Sequence, residues 1–129
     1  MKTVMCFGVF DRFHPGHLSY LKQARKYGDQ LIVIIARDKT VLKVKGRRPQ
    51  QNEIARRLAV KRSGCAEKVE LGQLRDKFAV VKKYQPDIIC LGYDQQVDEP
   101  ALRKYFLGRI IRLKPYKEKI YKSSKMAQK

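Results

Sequence analysis

The sequence CFGVFDRFHPGH, residues 6–17, places an apolar run, a glycine and two histidines within twelve positions. The overlapping segment TVMCF, residues 3–7, is rich in strand-forming residues and predicts a buried strand that ends at Gly8. After the Pro15-Gly16 step, apolar residues recur at helical spacing, at Leu18, Leu21 and Ala24. This part of the chain is therefore predicted to be a strand, a tight connection and a helix.

The alternation of strand and helix continues along the rest of the chain. Four further strands are predicted, at residues 31–36, 68–71, 87–92 and 109–113. Three further helices are predicted: one capped by Asn52 with Ala55, Leu58 and Ala59 facing inward, one at 78–84, and one from Pro100 to about Gly108. The second and fourth strands in the chain are apolar on both faces, which is typical of strands buried between two helix layers. The pattern predicts an α/β fold built on a doubly wound parallel sheet.

Composition limits the class of protein. With 129 residues, 43% of them hydrophobic, the chain is predicted to form one globular domain over 1–129. No apolar run reaches the ~18 residues of a membrane helix, and the N-terminus lacks the pattern of a signal peptide. Cys6, Cys65 and Cys90 have no paired spacing and predict free thiols in a reducing cytoplasm. The net charge of +18 favours polyanionic partners, either nucleic acids or phosphate-rich small molecules.

Ligands of doubly wound sheets bind beyond the carboxyl ends of the strands. Residues 8–17, residues 37–50, residues 92–100 and the tail after Leu113 are predicted to lie at that edge.

His14 and His17 stand at the start of the first predicted helix, where backbone N–H groups and the helix dipole suit a phosphate. Gly8 and Gly16 let phosphate oxygens approach the backbone, and Pro15 fixes the turn so that both rings can be aimed together. Two other interpretations are open at this point. The histidines could be incidental surface residues or a helix cap. A zinc site would need three or four ligands, whereas the chain contains 2 histidines in all.

The segment GVFDRFHPGH resembles the signature of the cytidylyltransferase-like nucleotidyltransferases, a glycine-x-phenylalanine-aspartate turn followed by His-x-Gly-His. The segment KSSKM, residues 122–126, is similar to a C-terminal motif of that family. Residues 32–49, 86–95 and 112–117 resemble the corresponding parts of archaeal FAD synthetases, which transfer AMP from ATP to FMN. The resemblance implies a Rossmann-like nucleotidyltransferase fold with ATP and FMN as substrates. Glycerol-3-phosphate cytidylyltransferase is the alternative enzyme, with pantetheine-phosphate adenylyltransferase behind it, and a basic nucleic-acid-binding domain is the alternative outside the enzymes.

The candidate site residues fall into three groups. His14 and His17 are the expected catalytic pair on the phosphates, with Pro15 and Gly16 beside them and the backbone of Val9 and Phe10 along the nucleotide. The resemblance places further nucleotide contacts at Asp94, Tyr116, Ser123 and Ser124. Lys22 and Arg47, the latter in a basic cluster with Lys43, Lys45 and Arg48, are candidates for the acceptor or the triphosphate. Val9 stands where the family commonly has threonine or serine, so a side-chain hydroxyl contact to phosphate is lost there.

A divalent metal ion, expected to be Mg²⁺, should accompany the nucleotide, and the sequence indicates no carboxylate cage for it. Sequence-specific nucleic-acid binding is not expected, because aromatic residues do not interleave with the basic ones. A homodimer is a further expectation.

Overall fold

A computed structural model of the protein describes residues 1–76, 78–93 and 95–115. Its strands are β1 (Thr3–Gly8), β2 (Gln30–Ile35), β3 (Lys68–Leu71), β4 (Ile88–Leu91) and β5 (Arg109–Arg112). Its helices are α1 (Pro15–Arg25), α2 (Asp38–Lys45), α3 (Glu53–Arg62), α4 (Ala79–Tyr84) and α5 (Glu99–Arg103). No helix within the described ranges is long and apolar enough to cross a membrane.

All five strands are parallel and lie in the order β3-β2-β1-β4-β5. The order reverses direction beside β1, since the chain runs outward from β1 to β3 and then returns to place β4 on the other side. The carboxyl ends of β1 and β4 therefore flank the switch point of the sheet, where doubly wound folds bind their ligands. The fold class predicted from the alternation is confirmed.

The sheet has an apolar core on each face, because neighbouring residues of a strand point to opposite sides. On one face, Cys6 and Val33 pack with Leu21 of α1 and Val60 of α3. On the other face, the strands pack against α4 and α5, through Met5, Ile89, Val81 and Leu102 among others. Helices thus cover both faces, which explains why β2 and β4 are almost entirely apolar.

Helix α2 lies within the polar stretch 37–50, for which the sequence pattern indicated no helix. Asp38 begins it, and Gly46 ends it in the left-handed conformation at φ 76°, which a glycine adopts without steric cost. Its buried side chain is Val41, so the helix has almost no apolar periodicity to reveal it.

Helix α3 begins after Asn52 as predicted, and the Asn52 side chain accepts a hydrogen bond from the N–H of Ala55 at 2.8 Å. The predicted inward face is wrong in one respect, because Leu58 is 42% exposed. Arg56 and Val60, one turn apart, are the fully buried residues of this helix. The helix is rotated so that the Arg56 guanidinium can reach three hydrogen-bond acceptors, described below.

Helix α5 is shorter than predicted and ends at Arg103 rather than near Gly108. The chain leaves the helix there so that Phe106 can enter the core, where it is 3% exposed. The Arg103 guanidinium closes the turn by donating to the carbonyl of Gly108.

Candidate active site

The connection from β1 to α1 folds back over the end of its own strand. Phe10 and Arg12 both have left-handed backbone conformations, at φ 53° and 52°, which cost residues other than glycine strain. The Phe10 ring is buried at 4% exposure and lies against Gly8, where an added Cβ would come within 2.6 Å of the ring. The ring also makes a T-shaped contact with the ring of His17, with 5.4 Å between centroids. Phe10 therefore anchors the loop through its side chain and leaves its backbone for other contacts.

His14 and His17 form the N-terminal cap of α1. The Nδ1 atom of His14 accepts a hydrogen bond from the N–H of Gly16 at 3.0 Å, and Nδ1 of His17 accepts from the N–H of His14 at 3.3 Å. This is the reciprocal pattern of a capping box, built here from two imidazoles. The rings stack with 3.7 Å between centroids and 25° between planes. The helix-cap alternative is thus realised, and it fixes both rings in one orientation.

These hydrogen bonds determine the chemistry of the pair. Because each Nδ1 atom accepts a backbone N–H, a neutral ring carries its proton on Nε2, which is then a hydrogen-bond donor. Burial lowers the pKa of His14 below its ordinary value. Burial, with His14 alongside and opposed by Asp11, lowers the pKa of His17 to about 3. Both rings are therefore neutral donors at neutral pH.

The Nε2 atom of His14 is buried and has no hydrogen-bond partner among the described residues. A buried polar group without a partner costs free energy, about 1–3 kcal/mol, unless a ligand supplies the missing acceptor. The site therefore has a donor prepared for an acceptor such as a phosphate oxygen, beside the N-terminus of a helix of eleven residues.

The loop between β1 and the histidines is tied to the segment before α3. The carboxylate of Asp11 accepts hydrogen bonds from the N–H groups of Gln50 and Gln51, at 2.8 and 2.9 Å. In return, the N–H of Arg12 donates to the side-chain oxygen of Gln51 at 3.0 Å. Both oxygens of Asp11 are thus occupied by backbone groups, so its role in this structure is to hold the loop.

Arg56 of α3 also holds this loop, and no pattern in the sequence predicts that it does. Its Nη1 donates to the carbonyl of Val9 at 2.8 Å, although its side chain is fully buried. An arginine in the middle of a helix is ordinarily predicted to be exposed. Here its burial depends on a hydrogen-bond acceptor, the Val9 carbonyl, that lies 47 residues away in sequence. Only the tertiary fold brings the two together.

Tyr20 of α1 joins the strands at the switch point. Its hydroxyl lies 3.1 Å from the carbonyl oxygens of both Phe7 and Cys90, at the ends of β1 and β4. The side chain of Gln95 bridges the same place, since its Nε2 donates to Phe7 and its Oε1 accepts from the N–H of Gly92. Burial, with Cys6 and Cys90 nearby, raises the pKa of Tyr20, so its hydroxyl stays protonated. Gly92 and Gln95 are therefore held at the carboxyl end of β4, next to the end of β1.

The remaining predicted residues are less constrained. Lys22 and Arg47 are exposed, and the side chain of neither makes a hydrogen bond or ion pair with another described residue. Asp94, Tyr116, Ser123 and Ser124 lie outside the described residues.

No group of three or more histidine, cysteine, aspartate or glutamate side chains within the described ranges could hold a metal ion. Asp11, the acid nearest the histidines in sequence, accepts one backbone N–H at each of its two carboxylate oxygens. The three cysteines are free thiols, as predicted.

Residues 5–127 match the model of the cytidylyltransferase-like family. The chain belongs to the cytidylyltransferase-like family. The resemblance drawn from the His-x-Gly-His turn is confirmed over nearly the whole chain.

This cytidylyltransferase-like protein is similar to several FAD synthases over nearly its whole length. It is 42% identical over 124 residues to the FAD synthase of Aciduliprofundum boonei, covering 96% of this chain and 83% of the relative. The FAD synthase of Thermococcus sibiricus is 41% identical, with 98% and 90% covered. The FAD synthase of Thermoplasma acidophilum is 38% identical, with 100% and 94% covered.

Solved structures agree on the fold. The crystal structure of the lipopolysaccharide core biosynthesis protein from Thermoplasma volcanium GSS1 superposes with a TM-score of 0.83 at 37% identity, covering 90% of this chain and 98% of that one. The universal stress protein from Archaeoglobus fulgidus, at 13% identity and a TM-score of 0.51, shares the fold alone. The Rossmann-like architecture is confirmed.

Proposed function

We propose that this protein is an FMN adenylyltransferase, which transfers AMP from ATP to FMN and gives FAD and pyrophosphate. The observation that carries the proposal is the pair of neutral imidazoles at the N-terminus of α1, in a chain 38–43% identical to several archaeal FAD synthases. The family supplies the reaction class, nucleotidyl transfer. The two substrates are inferred from the named relatives, which are FAD synthases.

The reaction joins two phosphates. A phosphate oxygen of FMN attacks the α-phosphorus of ATP, the bond from that phosphorus to the bridging oxygen of the β-phosphate breaks, and pyrophosphate leaves with the electron pair. The FMN phosphate is already ionised at neutral pH, so the step needs no strong general base. What it needs is alignment of the two phosphates and stabilisation of the charge that develops on the oxygens.

His14 and His17 supply that stabilisation in this proposal. Their Nε2 protons are neutral donors fixed by the capping box, so they can bind phosphate oxygens without a rearrangement at the moment of reaction. The N-terminus of α1 adds the positive end of the helix dipole. A divalent ion bound to ATP would neutralise charge on the triphosphate.

The rest of the nucleotide site is proposed from the sequence. The backbone of Val9 and Phe10 runs along the phosphates, with Pro15 and Gly16 at the turn. Asp94, Tyr116, Ser123 and Ser124 are proposed to contact the nucleotide. Lys22 and Arg47 are proposed to reach the acceptor or the triphosphate. A single domain over 1–129 would carry the whole reaction.

The substrates are tested by measuring pyrophosphate release with ATP or CTP crossed against FMN, glycerol 3-phosphate and phosphopantetheine. ATP with FMN should give FAD, detected by its absorbance after chromatographic separation. A far higher rate with CTP and glycerol 3-phosphate would replace the proposal by the cytidylyltransferase alternative.

The roles of the histidines are tested by His14→Ala and His17→Ala. Each should lower kcat by about 10²–10³-fold, the scale for one preorganised donor, because charge on the leaving oxygens grows only in the transition state. ATP affinity should change much less. Melting temperatures measured alongside separate lost catalysis from lost fold, and near-normal turnover in either variant would rule out the role of that histidine.

A further inference from the structure

Arg56 is a fully buried cation, and the described hydrogen bonds account for each of its three nitrogen atoms. Its Nε donates to the carbonyl of Gln51 at 3.0 Å, its Nη1 to the carbonyl of Val9 at 2.8 Å, and its Nη2 to the carboxylate of Asp38 at 2.7 Å. The side chain has no exposed surface, whereas Asp38 is 18% exposed. The guanidinium therefore joins the site loop, the segment before α3 and the first residue of α2 at one point.

A buried ion pair of this kind is not expected to add much to the free energy of unfolding. Removing a guanidinium from water is costly, and apolar residues of similar volume often stabilise a core as well as a buried ion pair does. A buried arginine does, however, give a defined position to every group that it contacts, because its planar donors point in fixed directions. The contact with Val9 is the one that leads to the site.

The Val9 carbonyl belongs to the peptide unit whose N–H is that of Phe10. A cationic donor on the oxygen of a peptide polarises the whole unit, so the N–H becomes a stronger hydrogen-bond donor. Among the described residues, the N–H groups of Val9 and Phe10 have no hydrogen-bond partner. Phe10 also has a left-handed backbone, and its buried ring prevents the peptide from turning freely.

We infer that Arg56 is a positioning residue for nucleotidyl transfer: it fixes the Val9–Phe10 peptide and strengthens the Phe10 N–H as a donor to the substrate phosphates. The inference rests on the proposed function for the identity of those phosphates. Arg56 itself lies beneath the loop and touches no substrate.

Helix α3 offers a matched control in the next residue. The Nε of Arg57 also donates to a backbone carbonyl at 2.8 Å, but that carbonyl is Val69 in β3. Arg56→Lys and Arg57→Lys make the same chemical change one position apart. Each keeps the positive charge and removes the planar set of donors, and only Arg56→Lys affects the site loop.

Three measurements follow on the full chain. The first is kcat for FAD formation, measured for each protein at the same number of degrees below its own melting temperature. Arg56→Lys should lower it at least tenfold, and Arg57→Lys by less than about twofold. The second is the ATP dissociation constant, which should rise about tenfold for Arg56→Lys, the scale of one hydrogen bond to a charged group. The third is the amide proton resonance of Phe10, which should move upfield in Arg56→Lys alone.

A structural role alone predicts different results. In the double variant Arg56→Met with Asp38→Asn, the carboxylate left without its partner is neutralised, so much of the lost melting temperature should return. The proposal requires kcat to stay low, since Val9 still lacks its donor, and this variant also serves if Arg56→Lys does not fold. Recovery of kcat with stability, or equal effects of Arg56→Lys and Arg57→Lys, would overturn the inference. If the wild type makes no FAD from FMN, the proposed function fails, while ATP affinity and the Phe10 resonance still test Arg56.

Discussion

Lowering the pH should destabilise this protein through His17, before most carboxylates titrate. In the folded chain burial lowers the pKa of His17 to about 3, from an ordinary value of 6.5. As the pH falls, His17 therefore binds a proton near pH 6.5 in the unfolded chain but only near pH 3 in the folded chain. The stabilising effect of the neutral ring is fully present above 6.5 and is lost as the pH falls from there towards 3.

The magnitude follows from these two pKa values. Between about pH 7 and about pH 5 the unfolded state gains most of one proton and the folded state gains almost none, which corresponds to about 2 kcal/mol. Burial of the ring is the largest cause of this lowered pKa. A protonated His17 would direct a second N–H at the N–H of His14, and the hydrogen bond that closes the capping box would be lost.

The assay is urea unfolding of the wild type and of His17→Gln at both pH values. Glutamine does not titrate, and its side-chain oxygen can accept the His14 N–H as in an ordinary capping box. The wild type should lose about 2 kcal/mol more of its free energy of unfolding than the variant does between the two conditions. Equal losses in the two proteins would refute the conclusion that burial in the folded chain holds His17 neutral.

Three further predictions concern the loop, the switch point and the charged surface. Gly8→Ala should lower the free energy of unfolding by about 1–3 kcal/mol in thermal melts and reduce FAD formation, because its Cβ would meet the Phe10 ring at 2.6 Å. The control is Gly64→Ala, just past the C-terminal end of α3: it strains a left-handed backbone at φ 73° and should lower stability without lowering activity, and equal losses of activity in the two variants would contradict the prediction. Tyr20→Phe should cost about 1–2 kcal/mol in urea unfolding, since its hydroxyl bridges the ends of two strands, and an unchanged midpoint would count against the bridge. Duplex DNA or RNA should bind the +18 chain loosely and dissociate at moderate salt in anisotropy titrations; sequence-selective, salt-resistant binding would favour the nucleic-acid alternative.

The strands and the histidine turn could be predicted because their signals are local. The apolar runs of β2 and β4 are readable in isolation, and their burial on both faces implies helices on both sides. His14 and His17 lie three residues apart, after a strand and at the start of a helix, and this local pattern predicts phosphate binding. The capping box strengthens that hypothesis, since it explains how both rings are held with Nε2 free.

The features that could not be predicted depend on contacts between distant parts of the chain. Helix α2 buries one side chain, Val41, so its sequence lacks the periodicity that identifies an amphipathic helix. The orientation of α3 was mispredicted at Leu58 because an arginine took the inward position. That position is set by the carbonyl of Val9 and the carboxylate of Asp38, which no pattern within α3 can reveal.

The strand order also has a consequence for how the chain folds. The central strand, β1, is the earliest of the five in sequence, yet one of its two neighbours is β4, at Ile88–Leu91. The N–H of Thr3 donates to the Asp87 carboxylate across 84 positions of sequence. During synthesis, β1 and β2 can pair early, but the β1–β4 seam waits until most of the chain has emerged. The histidines and their helix can thus form before β4 is present, and the nucleotide site cannot be complete until β4 has paired with β1.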